Sequence, residues 1–262
     1  MSARALILSL LLATSYACTE ISCPPALTES PQTNIEIESD GLSFLTDPLL
    51  YDSIEIHEDD RYGSVGAILD ENANIFCSGV LIHKRVILTS QHCIFENACN
   101  KMFMTQNGQI LSITEVIGAP RYNPGLPFND LAICILEADC IETPAKLAHN
   151  PFELLPGEEL TTVGWSLGKK KVSQPKVIKY YGSLIEEGGQ VMRMLATKGS
   201  VFYGDSGGAV FEDTGLLAGI ICFFGLDKET GVIIDNGAIR VDYYKNWIDQ
   251  VLKERCMELP NE

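Results

Sequence analysis

The glycine-flanked serine at residues 204–208 has the pattern of a reactive hydroxyl. The segment is Gly-Asp-Ser-Gly-Gly, followed by the apolar run 209–211, which predicts a tight turn that leads into a strand. Because glycine permits positive φ and close backbone approach, the N–H groups of Gly204 and Ser206 could point at one developing oxyanion. A solvated glycine-rich turn is the alternative, since short motifs also occur by chance. A base and an orienting acid elsewhere in the chain would favour the reactive interpretation.

Two other residues have the types that would activate such a serine. His92 follows the apolar run 86–90, and Asp130 directly precedes the apolar run 131–136. A serine hydroxyl is a weak nucleophile at neutral pH and needs an adjacent base. Histidine can take that proton and later return it, while a buried carboxylate fixes its tautomer and stabilises the imidazolium. Each residue alone is more often structural, but their occurrence in the order His, Asp, Ser favours nucleophilic catalysis.

Short apolar runs separated by turn residues must position these side chains. The runs that predict strands are 65–69, 75–82, 86–90, 110–117, 131–136, 160–165, 177–185, 191–196, 209–211 and 216–224. The second and third form a hairpin pattern whose end delivers His92. Many short strands with glycine and proline turns favour a β-sandwich or β-barrels. Near the C-terminus the period changes, and Tyr244, Trp247, Ile248, Val251 and Leu252 recur at the spacing of an amphipathic helix.

Composition limits the classes of protein to consider. The chain has 262 residues, 46% of them hydrophobic, which suits one large all-β domain. Its net charge of −16 argues against a surface for nucleic acid or anionic lipid. The nine cysteines suggest disulfides in an exported protein, and the odd number leaves at least one thiol free, lipidated or shared with another chain. No Cys-x-x-Cys pair occurs, so we expect neither a metal site nor a cofactor.

The first 17 residues have the pattern of an export signal. Arg4 gives a short basic region, residues 5–12 are apolar except for one serine, and small residues stand at 15 and 17. The apolar run is too short to cross a bilayer. We therefore expect a protein that is secreted, periplasmic or held in the cell envelope. Because Cys18 follows the predicted cut, a lipid anchor there is an alternative, and we expect membrane contact only in that case.

Residues 18–53 predict an acidic, proline-containing leader or pro-segment. Pro24, Pro25, Pro31 and Pro48 lie among serine, threonine and glutamate without a clear period. Ordered structure is expected to begin between Leu50 and Arg61, so that residues 54–262 form the folded domain.

Three blocks resemble the signature blocks of the trypsin/chymotrypsin-like serine proteases. They are Thr-Ser-Gln-His-Cys at 89–93, Phe-Asn-Asp-Leu-Ala-Ile at 128–133, and Gly-Asp-Ser-Gly-Gly at 204–208. The resemblance covers about residues 54–256 and implies two six-stranded antiparallel β-barrels with a C-terminal helix. It further implies that His92 is the base, Asp130 its orienter and Ser206 the nucleophile, with Gly204 and Ser206 as the oxyanion hole.

The resemblance also implies a disulfide between Cys77 and Cys93, beside the histidine. A closed loop of that length stabilises a fold by roughly 3 kcal/mol.

Several positions depart from that family's pattern. Gln91 replaces a small residue beside the histidine, and Cys222 replaces a serine that usually supports the buried aspartate. An Ile-Val-Gly-Gly activation sequence is missing from the chain. Ile54 is the nearest candidate for a new N-terminus of a processed zymogen, while residues 56–61 resemble the start of bacterial glutamyl endopeptidases. The partner of Asp205 is thus left open between an N-terminus at Ile54 and a side chain.

The resemblance predicts a neutral primary pocket. The expected pocket residues are Ser200, Cys222, Phe223 and Phe224. Ser200 stands six residues before the nucleophile, at the base of the pocket, and has no charge to offer a basic or acidic substrate side chain. We therefore expect cleavage after uncharged residues, of medium size or aromatic. The rival prediction is that Asp227 or Asp235 reaches the pocket and restores a preference for basic residues.

Together these features predict an exported serine endopeptidase that hydrolyses peptide bonds through an acyl-enzyme on Ser206. Its substrate would be a polypeptide, and we expect it to be a monomer. An alternative from another class is an inactive protease-fold binding or adhesion protein, suggested by the altered support near Asp130 and the missing activation sequence. A third is a surface protease anchored by lipid at Cys18.

Overall fold

The computed structural model describes residues 54–55, 60–94, 101–124, 126–148, 157–174, 176–181, 191–195, 199–226 and 233–259. The predicted signal at 1–17 and the whole of the predicted leader at 18–53 lie outside these ranges, so they stay predictions. None of the described helices is long and apolar enough to cross a membrane.

The described residues form fourteen strands and one α-helix. In chain order these are β1 Ile54–Glu55, β2 Val65–Leu69, β3 Ile75–His83, β4 Val86–Thr89, β5 Met102–Met104, β6 Ile110–Gly118, β7 Ala132–Leu136, β8 Thr161–Gly164, β9 Lys171–Ser173, β10 Lys176–Tyr181, β11 Val191–Leu195, β12 Ala209–Phe211, β13 Leu217–Leu226, β14 Ile233–Arg240 and α1 Lys245–Glu254.

Six strands close into a first barrel in the order β2-β3-β4-β7-β6-β5. Every residue of β2, β4 and β7 is buried. Since side chains alternate between the two faces of a strand, Ile87 packs inside the barrel while Val86 and Leu88 join the core shared with the other half. This explains why β4 is an unbroken apolar run rather than an alternating one.

The second half is an antiparallel sheet in the order β1-β9-β8-β12-β13-β14-β11-β10. β9 and β10 lie near its two ends, yet only residues 174 and 175 separate them along the chain. One bent stretch of chain therefore pairs with both sides of the sheet, as a six-stranded barrel requires, and β1 adds an edge strand to β9. The predicted all-β class with two antiparallel barrels and one C-terminal helix is confirmed, with the first barrel closed by its own pairing.

Helix α1 packs on the core between the two halves. Ile248, Val251 and Leu252 are its buried residues, and Tyr244 lies just before its first turn. The predicted period of apolar residues is thus the buried face of the helix.

Candidate active site

His92 and Asp130 lie side by side at one rim of the first barrel. β4 pairs with β7 so that Thr89 stands opposite Ala132, which places the residues after β4 beside those before β7. Nδ1 of His92 lies 2.6 Å from Oδ2 of Asp130, and the His92 backbone N–H donates to Oδ1 at 2.8 Å. Both carboxylate oxygens therefore bind one residue, and the imidazole is held by Nδ1 with 38% of the side chain exposed.

The turn before Asp130 is held by the C-terminal segment. Asn129 adopts a left-handed conformation with φ of 58°, which asparagine tolerates better than most residues. Its Oδ1 accepts a 2.6 Å hydrogen bond from the hydroxyl of Tyr244, and its Nδ2 donates to the Arg121 carbonyl at 3.3 Å. The sequence does not predict the contact between Tyr244 and Asn129, because the two residues stand 115 positions apart.

The serine turn needs both of its positive-φ glycines. Gly204 has φ of 99° and Gly207 has φ of 82°. A Cβ on Gly204 would stand 2.7 Å from the Trp165 carbonyl oxygen, and one on Gly207 would stand 2.1 Å from the Ser78 carbonyl oxygen. Conformation and space thus both require glycine there.

One carbonyl ties the serine turn to the histidine segment. The Ile221 oxygen accepts from the Gly207 N–H and from the Ser90 hydroxyl, each at 2.7 Å. Gly207 follows Ser206, and Ser90 stands two residues before His92. The structure therefore brings the serine turn and the segment before His92 together, but among the described residues no hydrogen bond joins Ser206 Oγ to His92.

The backbone donors predicted as an oxyanion hole are available. Within the described part of the chain, the N–H groups of Gly204 and Ser206 donate to no other protein atom. The carbonyls of the same two residues are held instead. Ser78 donates its hydroxyl to the Gly204 oxygen at 2.7 Å and its backbone N–H to the Ser206 oxygen at 2.8 Å.

The predicted disulfide is present beside the histidine. Cys77 and Cys93 are joined with a Cα–Cα distance of 6.2 Å, and Cys93 Sγ contacts the Ser206 oxygen at 3.7 Å. Cys134, Cys140 and Cys222 are free buried thiols. Cys256 is disulfide-bonded. Cys99 lies outside the described residues.

The carboxyl of Asp205 is buried, and only one of its two oxygens accepts a hydrogen bond among the described residues. Its Oδ2 accepts from the Phe202 N–H at 2.8 Å, but Oδ1 has no hydrogen-bond partner among the described residues. Burial raises the pKa of this carboxyl to about 7, against the opposing effects of the Phe202 N–H, Ser166 and Lys171. Asp205 lines a narrow cleft together with Lys171 and Val172.

The two departures near the histidine have clear structural settings. Cys222 is buried, and burial together with the negative charge of Asp130 raises the pKa of its thiol. Within the described ranges, its sulfur makes no hydrogen bond to that carboxylate, and both donors to the carboxylate belong to His92. The side-chain amide of Gln91 lies against Gly118, where a Cβ would stand 2.3 Å from Nε2. A glycine on β6 thus makes room for the larger residue.

Ser200, the predicted base of the pocket, contacts an uncharged buried side chain. Ser200 is buried, and its hydroxyl donates to Oδ1 of Asn236 at 3.3 Å. Asn236 is 0% exposed, and its Nδ2 has no partner within the described chain. Our reading of the sequence missed Asn236, because Asn-Gly predicts a turn rather than a strand. Asp227 and the side chain of Asp235 lie outside the described residues.

Three aromatic rings pack together around Phe224, which pairs with Asn236 across the sheet. Phe224 stacks on Phe202 with ring centroids 5.6 Å apart, and Tyr203 meets both rings edge-on at 5.2 and 5.0 Å. Tyr203 is 65% exposed, whereas Phe202 is buried. We call these three residues the aromatic trio. The fourth predicted wall residue, Phe223, covers Gly237 on the neighbouring strand.

Comparisons with known proteins identify the family of the chain. The family model described as Trypsin matches residues 57–248. Chymase of Mus musculus is 23% identical over 210 residues, covering 71% of this chain and 83% of that protein. Granzyme B(G,H) of Mus musculus is 23% identical over 217 residues, covering 73% and 86%.

Solved structures show the same fold. The scabies mite inactivated protease paralogue S-I1 matches with a TM-score of 0.63 and 19% identity, covering 76% of this chain and 99% of that one. Human heparin binding protein matches with a TM-score of 0.62 and 20% identity, covering 77% and 96%.

Proposed function

The chain belongs to the trypsin family, and from that premise we propose that it is a serine endopeptidase that forms an acyl-enzyme on Ser206. The observation that carries the proposal is the His92–Asp130 pair, in which one carboxylate binds both the ring and the backbone of the histidine. The Ile221 carbonyl, which accepts from both Ser90 and Gly207, supports the proposal that this pair acts on the serine turn. In this proposal His92 is the base, Asp130 its orienter and Ser206 the nucleophile.

In the proposed reaction, Ser206 Oγ attacks the carbonyl carbon of the peptide bond while its proton passes to His92. Because Asp130 holds Nδ1, Nε2 is the nitrogen left to take that proton. The carbonyl oxygen becomes an oxyanion that accepts hydrogen bonds from the Gly204 and Ser206 N–H groups. The imidazolium then gives its proton to the departing amine, and water hydrolyses the ester by the same steps in reverse.

We propose polypeptides as the substrate class and an uncharged residue at the cleaved bond. Ser200 and Asn236 support this, because the only groups that they place at the pocket floor are a hydroxyl and a carboxamide. Burying a charged substrate side chain there without a partner would cost several kcal/mol. Residues 1–17 would direct export, and 18–53 would be a leader removed from a zymogen. A secreted monomer is the form we propose, with a lipid anchor at Cys18 as the alternative.

A second candidate function is binding without catalysis. The unpaired Oδ1 of Asp205 favours it, since a buried carboxylate beside the nucleophile without a cation destabilises the serine turn.

Covalent labelling separates the two candidates. We expect the processed, secreted protein to react with a fluorophosphonate probe and the Ser206→Ala variant to show no labelling. The substitution should also lower peptidase activity by several orders of magnitude while leaving the unfolding temperature unchanged. Absence of labelling in processed protein with the Cys77–Cys93 disulfide intact would favour the binding protein. Labelling that survives in the variant would show that another residue is the nucleophile.

A further inference from the structure

The hydroxyl of Ser78 stands at the junction of three distant segments. Ser78 lies within β3, is 0% exposed, and pairs through its backbone with Ala67 on β2. Its Oγ accepts from the Trp165 N–H at 2.9 Å and donates to the Gly204 oxygen at 2.7 Å. These partners lie 87 and 126 positions away along the chain. One side chain of the first barrel thus binds the end of β8 and the serine turn.

The direction of both hydrogen bonds is fixed by chemistry. A hydroxyl has one proton to donate, a backbone N–H can only donate, and a carbonyl oxygen can only accept. The proton of Ser78 must therefore point at Gly204. Rotating the hydroxyl away would leave a part-buried carbonyl or a part-buried N–H without a partner, which is unfavourable.

Gly204 needs such an external restraint. A glycine at φ of 99° has no side chain to limit its backbone, so other contacts must select its orientation. Holding its carbonyl oxygen fixes the peptide group between Gly204 and Asp205. This peptide lies between the two peptide groups that carry the N–H of Gly204 and the N–H of Ser206. The Ser78 backbone N–H holds the Ser206 oxygen at 2.8 Å in the same way. Ser78 thus holds both carbonyls of the two residues whose N–H groups stay free.

We propose that Ser78 is a positioning residue, whose hydroxyl sets the orientation of the Gly204 peptide and thereby aligns the two oxyanion-hole donors. The inference rests on the proposed function for its kinetic consequence, but the restraint itself does not require activity. The backbone bond to Ser206 survives any substitution that keeps the N–H. The side-chain bond to Gly204 is therefore the part that mutation can test.

The kinetic test compares Ser78→Ala with Thr89→Val. Thr89 Oγ1 donates to the Ser78 carbonyl oxygen at 2.8 Å and is equally buried, so Thr89→Val removes a similar hydrogen bond on the same residue without touching Gly204. Direct loss of an oxyanion donor lowers kcat by about 100- to 1000-fold, so a misaligned donor should cost about 10- to 100-fold. We expect that loss in Ser78→Ala with KM within about threefold, because the oxyanion exists only in the transition state. Thr89→Val should keep kcat within about threefold.

Three kinetic outcomes would overturn the proposal. One is a Ser78→Ala enzyme with kcat within threefold of the parent. Another is a rise in KM with kcat unchanged, which would indicate a role in ground-state binding. The third is an equal loss of kcat in both variants at equal loss of thermal stability, which would make the effect one of stability alone.

Amide hydrogen exchange tests the restraint without any need for activity. We expect the Trp165 N–H to be protected in the parent and to exchange at least tenfold faster in Ser78→Ala, with no such change in Thr89→Val. Unchanged protection would overturn the proposal. An inactive parent that shows the expected exchange would refute the proposed function while leaving the restraint established, so the two failures are distinguishable.

Discussion

Asp130 and Asp205 are equally buried carboxylates that differ in their hydrogen-bond partners. Each is 4% exposed. Both oxygens of Asp130 bind donors of His92, whereas Asp205 binds one backbone N–H and leaves Oδ1 without a partner in the described chain. Burial raises the pKa of Asp205 to about 7. At the same burial, Asp130 therefore has a donor on both carboxylate oxygens, and Asp205 has a donor on one of them only.

The difference follows from how each carboxylate meets its partner. The register between β4 and β7, two strands of the first barrel, brings Asp130 to His92. Asp205 lies on the serine turn, and its remaining partner has to come from elsewhere. The two candidates are an amine created by processing near Ile54 and the side chain of Lys171, which lines the same cleft.

The largest effect on activity should come from breaking the pair of His92 and Asp130. In Asp130→Asn the amide can no longer stabilise the imidazolium, and the wrong tautomer of His92 is favoured, so kcat should fall by about 10,000-fold. Steady-state kinetics on a peptide substrate measures this, and thermal unfolding checks that the fold remains. A loss below about tenfold would mean that His92 is oriented by some other group.

The sequence predicts the segments that carry His92, Asp130 and Ser206 better than the strand that carries Asn236. His92, Asp130 and Ser206 each stand in a local block, and the helical spacing from Tyr244 to Leu252 predicts α1. In contrast, β14 is absent from the predicted strands because Asn236-Gly237 interrupts its apolar run with a turn signal. Pairing with β13 on one side and β11 on the other overrides that local preference.

Long-range partners could not be predicted for a different reason. The bonds from Ser78 to Gly204 and from Tyr244 to Asn129 join positions more than a hundred residues apart. A single serine or tyrosine in a strand or helix pattern carries no sign of such a partner, since periodicity reports only which face is buried. Only the tertiary arrangement identifies these residues.

The next effect concerns the pH dependence of stability through Asp205. Its pKa in the folded state, about 7, lies above the value of about 3.9 expected in the unfolded chain. Between these values the folded state binds the extra proton, so its contribution to stability is complete below pH 4 and is lost as pH rises through 7. The loss is on the order of a few kcal/mol.

Denaturant unfolding of leader-bearing protein measures this, with Ser206→Ala as the background to prevent self-processing. Adding Asp205→Asn should raise stability relative to that background at pH 8 and have a smaller effect at pH 5. In the processed protein the gain at pH 8 should vanish, because a paired carboxylate is no longer costly. An identical effect of the substitution at both pH values would show that Asp205 is already paired in the leader-bearing chain. The same gain in processed protein would exclude the new N-terminus as its partner.

The smallest effect should appear at the substrate pocket, where Asn236 Nδ2 has no hydrogen-bond partner among the described residues. A floor of Ser200 and Asn236 offers no charge, so kcat/KM should be higher for Leu or Phe than for Arg or Glu at the cleaved position. Because Phe224 stacks on Phe202 above that floor, Phe224→Ala should raise kcat/KM for Phe relative to Leu by about tenfold, consistent with the area of one aromatic ring. Tyr203→Ala is the matched control, since it removes an exposed member of the aromatic trio without uncovering the floor. A preference for Arg of a hundredfold or more in the parent would contradict the neutral pocket and point to Asp227 or Asp235 as the charge that reaches it.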